Sequence, residues 1–129
     1  MIHLKLPKPI SANHFYLRRG PMTFIGPKGL KYIQDVKDIV EKAYDSDGLK
    51  VSDYIITGPV KVDMVVTFSS HRRSDIDNLI KHTVDSLTKA GIWSDDSLIW
   101  SLSIKRNKEI CKNNGSIDVF ISDLDPDSF

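Results

Sequence analysis

The sequence has 129 residues, 40% hydrophobic and 27% charged, proportions that suit one domain with a modest core. It holds no apolar run of bilayer length, no signal-peptide core at its N-terminus and one cysteine, Cys111. Membrane, secreted and disulfide-framework classes are therefore set aside, and a cytoplasmic protein is expected. The formal charge of +1 hides an asymmetry. Residues 1–31 carry six bases (Lys5, Lys8, Arg18, Arg19, Lys28, Lys31) and no acid, whereas the chain from Asp118 onward carries four aspartates and no base. A local charge of +6 points to an anionic partner met by one face.

In chain order, Ile2-His3-Leu4-Lys5-Leu6 alternates apolar and polar, the pattern of a half-buried strand, and Pro7 and Pro9 end it. Pro21, Pro27 and Gly20, Gly26 and Gly29 then break up residues 7–29 into a long basic arm, with room for a short strand at 22–25. Asn13, Arg18, Arg19 and Lys28 lie on it. From about Gly29 to Asp45, Tyr32, Ile33, Val36, Ile39, Val40 and Ala43 recur at helical spacing. Residues 60–68 alternate and are rich in β-branched side chains, which predicts a strand. A second helix is expected over 77–90, with Ile80, Val84 and Leu87 on one face and Gly91 as its stop. Residues 98–104 and 116–121 read as two further strands, joined through a turn at Asn113-Asn114-Gly115, and 122–129 as a solvated acidic tail. The order βαβαββ predicts an α+β two-layer domain over 1–129, with a mixed sheet and two main helices on one face.

Chemistry-bearing residues crowd between His71 and Asp96. Asp75 and Asp77, two apart, would point to the same side of an extended chain and converge on a divalent cation. Lys81 follows Asp77 by one helical turn, and Asp95 and Asp96 arrive after the glycine stop with a further carboxylate. The same residues permit a plainer account. Ser74-x-x-Asp77 matches a capping box, and Lys81 has Asp77 and Asp85 as helical neighbours. Capping leaves the acids after Trp93 unexplained. Arg72 and Arg73 suit a phosphodiester beside the carboxylates, or a solvated loop. The four histidines lack metal-ligand spacing and read as surface or packing residues, and Trp93 and Trp100 read as core anchors before base-stacking groups. Residue chemistry alone therefore leaves two classes: a Mg²⁺-dependent enzyme acting on phosphates, or a basic binding domain.

Three stretches resemble the RusA family of Holliday-junction resolvases. They are Asp75-Ile76-Asp77-Asn78-Leu79 with Lys81; Leu87-Thr88-Lys89-Ala90-Gly91-Ile92-Trp93 with Asp95-Asp96; and Leu6-Pro7-x-Pro9-x-Ser11-x-Asn13 before the basic arm. The order of elements agrees along nearly the whole chain. One departure is Ser74, where some members continue a longer basic run. The resemblance implies a structure-selective endodeoxyribonuclease that resolves four-way DNA junctions in recombination and repair. By that resemblance Asp75, Asp77 and Asp96 hold Mg²⁺ (or Mn²⁺), Lys81 is the essential lysine, and Asn13, Arg18, Arg19, Lys28, Arg72 and Arg73 meet DNA. It further implies a homodimer on branched DNA, phage or prophage origin in a bacterial cytoplasm, and 5′-phosphate and 3′-hydroxyl ends. A branched-DNA-binding protein that has kept the fold without catalysis is the alternative.

Overall fold

The computed structural model describes residues 2–9, 15–46, 48, 54–71, 75–112 and 114–128. Ser11, Asn13, Arg72, Arg73, Ser74 and Asn113 lie outside the described residues. Strand β1 (Ile2–Pro7) is followed by a hairpin, β2 (Tyr16–Arg19) and β3 (Met22–Ile25), and by helix α1 (Pro27–Asp45). Strand β4 (Val60–Thr67) then leads through a 3-10 turn (Asp77–Leu79) into helix α2 (Ile80–Lys89). A second 3-10 turn (Asp96–Leu98) precedes β5 (Ile99–Arg106), and β6 (Ser116–Asp123) closes the sheet before a last short turn (Pro126–Ser128).

The α+β architecture with a mixed sheet and two helices is as expected. Four strands form the main sheet in the order β1-β6-β4-β5, with β6 antiparallel to both neighbours and β5 parallel to β4. Alternation decides which face is covered. Val60, Val62, Met64 and Val66 of β4 lie beside Ile117, Val119 and Ile121 of β6 and Leu4 and Leu6 of β1, all buried. The opposite row of β4, from Lys61 to Thr67, is exposed or half-buried. Helix α1 buries Tyr32, Val36, Val40 and Tyr44, one residue per turn, into the same core.

Two local expectations change. The strands at 99–106 and 116–123 are not hairpin partners, because β4 lies between them. The connection is held over the end of β4, where Asn107 N–H donates to Val66 O at 2.8 Å and Cys111 N–H to Phe68 O at 3.0 Å. The all-apolar inner row of β4 favours the centre of the sheet, which places β5 and β6 on either side of it. The acidic tail is also more ordered than its composition indicated. Ser122 and Asp123 extend β6, and Leu124 N–H donates to Pro59 O at 3.1 Å.

Helix α2 meets the core through Leu87 and Val84 and through the polar residues His82, Thr83 and Ser86. Its hydroxyls are satisfied within the helix: Thr83 donates to Leu79 O at 2.8 Å and Ser86 to His82 O at 2.7 Å. Gly91, at φ 83°, ends the helix as expected. The chain then returns with Trp93 buried at 2% exposure, its indole N–H donating to Thr88 Oγ1 at 2.7 Å. Trp100 does not join the core. It is 51% exposed on β5, because β5 is an edge strand that α2 only partly covers.

Candidate active site

Three elements meet around Lys81: the hairpin, the start of α2, and the turn before β5. The hairpin is seated by a close approach at Gly29, where a Cβ would lie 2.6 Å from Phe15 O and 2.7 Å from Ile25 Cγ2. Glycine there lets the first turn of α1 rest against the hairpin's base, and buried Phe15 packs on Tyr16, Tyr32 and His82. Tyr16 is thereby fixed over α2.

Lys81 forms a wall shared by two depressions. One, of about 470 Å³, is lined by Tyr16, Thr23, Asp77, Asn78, Lys81 and His82. The other, of about 390 Å³, has Asp85 and Asp96 beside Lys81, with Ile80, Trp100 and Leu102 among its apolar lining. Asp77 and Asp96, separated by nineteen positions, thus open on either side of one lysine. Asp75 lines neither depression. It is exposed and precedes Ile76, whose backbone is helical at φ −72° and ψ −31°. The expectation that Asp75 and Asp77 share one side of an extended chain is corrected by that turn.

Of the capping box, Ser74 lies outside the described residues; among the described residues neither the 3-10 turn nor α2 has a side-chain cap hydrogen bond, and Asp77 stays exposed. Lys81 pairs with Asp85, not Asp77: its Nζ donates to Asp85 Oδ2 at 3.1 Å. Nζ also donates to the Tyr16 hydroxyl at 3.2 Å and lies 4.6 Å from the centre of the Tyr16 ring. The Tyr16 hydroxyl in turn donates to Asp85 Oδ2. The hydrogen bonds to Tyr16 and then Asp85 hold the Lys81 pKa above its ordinary value. Burial and the bond to Asp85 raise that of Tyr16. Asp95, hydrogen-bonded by the Ser97 hydroxyl at 2.6 Å, is held below the usual carboxylate value. The sequence singles out Lys81 and the aspartates but not Tyr16, which no spacing rule connects to residues more than sixty positions away.

As donors, Asp75, Asp77 and Asp96 fit a hard divalent cation: all are exposed carboxylates, without an ion-pair partner among the described residues. They do not form one cluster, and among the described residues no three His, Cys, Asp or Glu side chains are grouped to hold a metal. On the hairpin, Arg18 and Arg19 are exposed, as is Lys28 at the start of α1.

A family model described as endodeoxyribonuclease RusA matches residues 7–122. The chain belongs to the RusA family. It is 35% identical over 97 residues to the crossover junction endodeoxyribonuclease rusA of Enterobacteria phage 82, covering 75% of each chain. With the protein of that name from Enterobacteria phage HK97 it shares 30% identity over 120 residues, 93% of this chain and 92% of the relative. Against the crossover junction endodeoxyribonuclease RusA of Escherichia coli K12 it is 34% identical over 96 residues, 74% of each. The matched span of the RusA model takes in the hairpin, both helices and Asp75, Asp77, Asp85, Asp95 and Asp96. No helix among the described residues is long and apolar enough to cross a membrane.

Proposed function

We propose that this RusA-family protein is an endodeoxyribonuclease that cuts DNA at four-way crossovers by hydrolysing phosphodiester bonds. The observation that carries the reading in the structure is Lys81, standing between the depressions onto which Asp77 and Asp96 open. The family implies a divalent metal, and we assign Mg²⁺, with Mn²⁺ able to replace it. Asp75, Asp77 and Asp96 would hold it. When bound, such an ion would make a coordinated water easier to deprotonate for attack and would neutralise charge on the phosphate.

The chain's own groups do the rest. Lys81 donates to a non-bridging phosphate oxygen and stabilises the charge that grows as water attacks phosphorus. The P–O3′ bond breaks, the 3′ oxygen takes a proton, and the ends are a 5′-phosphate and a 3′-hydroxyl. Arg18, Arg19 and Lys28 track the phosphates flanking the cut, joined by Asn13, Arg72 and Arg73. A C2 homodimer matches the near two-fold symmetry of a four-way junction and presents two equivalent sites for paired cuts. We place this activity in recombination and repair inside bacterial cells, on phage or prophage DNA.

A second reading, a branched-DNA-binding protein without catalysis, is favoured by the separation of the three aspartates. One experiment divides the two. An end-labelled four-way junction is incubated with the protein in Mg²⁺ or EDTA, beside linear duplex. Paired nicks that need Mg²⁺ and are confined to the junction support the nuclease. Junction binding without nicks in either Mg²⁺ or Mn²⁺ establishes the binding protein.

A further inference from the structure

Lys81 is an exposed side chain, 70% accessible, yet it is held from two directions. An i,i+4 pair with Asp85 on an exposed helix face orders a lysine weakly. Here the hairpin adds a second restraint, the hydroxyl and ring face of Tyr16, which comes from a different layer of the fold. Tyr16 is itself fixed, its ring packed on Phe15 at 4.8 Å and on His82 at 5.2 Å. The triangle is closed because Tyr16 also donates to Asp85. We propose that Asp85 and Tyr16 are positioning residues that hold the Lys81 ammonium at the wall between the two depressions. The inference rests on the nuclease reading above.

The donor count supports this role. An ammonium has three N–H donors. Two go to Asp85 and Tyr16, which leaves one for a phosphate oxygen. Asp85 differs from the other aspartates near the site. Its Oδ2 already accepts from both Lys81 and Tyr16, so it serves the lysine, whereas Asp77 and Asp96 have no such partner among the described residues. A side chain fixed before substrate arrives needs no reorganisation as charge develops, which is where an electrostatic donor gains most. Tyr16 also stands two residues before Arg18 on β2, on the same side of the strand, so the ribbon that carries the basic residues sets the lysine as well.

The test uses Tyr16→Phe, which keeps the ring and loses the hydroxyl, and Asp85→Asn, which keeps the shape and loses the charge. Two readouts are taken on the full chain: single-turnover cutting of a four-way junction, with its binding affinity, and trace acylation of the Lys81 amine by acetic anhydride, read by peptide mass. Cutting falls about tenfold or more in each variant with affinity unchanged, the loss expected when a reacting group is misplaced. Acylation of Lys81 becomes several-fold faster, and Asp85→Glu, which keeps the carboxylate, recovers part of the rate. Unchanged cutting overturns the proposal, whether or not the labelling changes, because the contacts then hold a lysine whose position does not matter. A parent protein that binds a junction and never cuts it overturns the nuclease reading and this proposal together. That failure is told apart by appearing before any substitution is made. Should Tyr16→Phe fail to fold, Asp85→Asn on the surface of α2 decides the question alone.

Discussion

The hydroxyl of Tyr16 donates a hydrogen bond to the carboxylate of Asp85, joining residues 69 positions apart. This contact ties the basic hairpin to the helix that carries Lys81. The hairpin proposed to grip DNA and the helix proposed to carry the chemistry therefore meet at one contact.

Asp77→Asn and Asp96→Asn should each reduce junction cutting by at least about a hundredfold, the scale seen when a charge-stabilising group at a reacting centre is removed. Both residues are exposed, so folding is expected to be unaffected. Gel assays with end-labelled junctions, alongside band-shift measurements, check that cutting is lost while binding persists. Asp75→Asn tests whether an aspartate that borders neither depression still belongs to the metal set. EDTA should abolish cutting by the parent protein.

Arg18→Ala combined with Arg19→Ala should weaken junction binding and flatten its dependence on salt. Each phosphate contact contributes close to one to the slope of log affinity against log salt, so the slope should fall by about two. Titrations at several salt concentrations measure it directly. An unchanged slope would remove the hairpin from the DNA interface.

His82 gives the fold a pH dependence. It is buried, its Nδ1 lies 3.0 Å from Asn78 O, and its Nε2 has no hydrogen-bond partner among the described residues. Burial lowers its pKa from the ordinary 6.5. The unfolded chain then takes up a proton at a higher pH than the native one, so protonation favours unfolding. The His82 contribution is complete above about pH 6.5 and is lost as pH falls towards the native pKa. Thermal melts at pH 7.5 and 5.5 should show a larger drop for the parent than for His82→Leu, which cannot titrate.

The two tryptophans should behave oppositely. Trp93→Ala removes a buried indole that donates to Thr88 and should cost about 3–5 kcal/mol in denaturant unfolding. Trp100→Ala, on a half-exposed edge position, should cost about 0.5 kcal/mol. Equal losses would contradict the burial of Trp93 or the exposure of Trp100.

Much of this arrangement is legible along the chain. The spacing of Tyr32, Val36 and Val40, the alternation from Val60 to Val66 and the stop at Gly91 each reflect a local period or a backbone preference, and the elements form where those signals place them. The aspartates and Lys81 were recognisable for a related reason: their spacing lies within a short stretch of sequence. Other features depend on which surfaces meet. Placing β4 between β5 and β6, burying Trp93 while leaving Trp100 half open, and bringing Tyr16 onto Lys81 and Asp85 are outcomes of tertiary packing. Sequence by itself determined the chemical inventory and the elements other than strand β2 of the hairpin, because periodicity and chain stiffness act over a few residues. Tertiary structure alone decided the partners, because contacts between distant residues are selected by the burial of whole faces, and no local spacing encodes which faces meet.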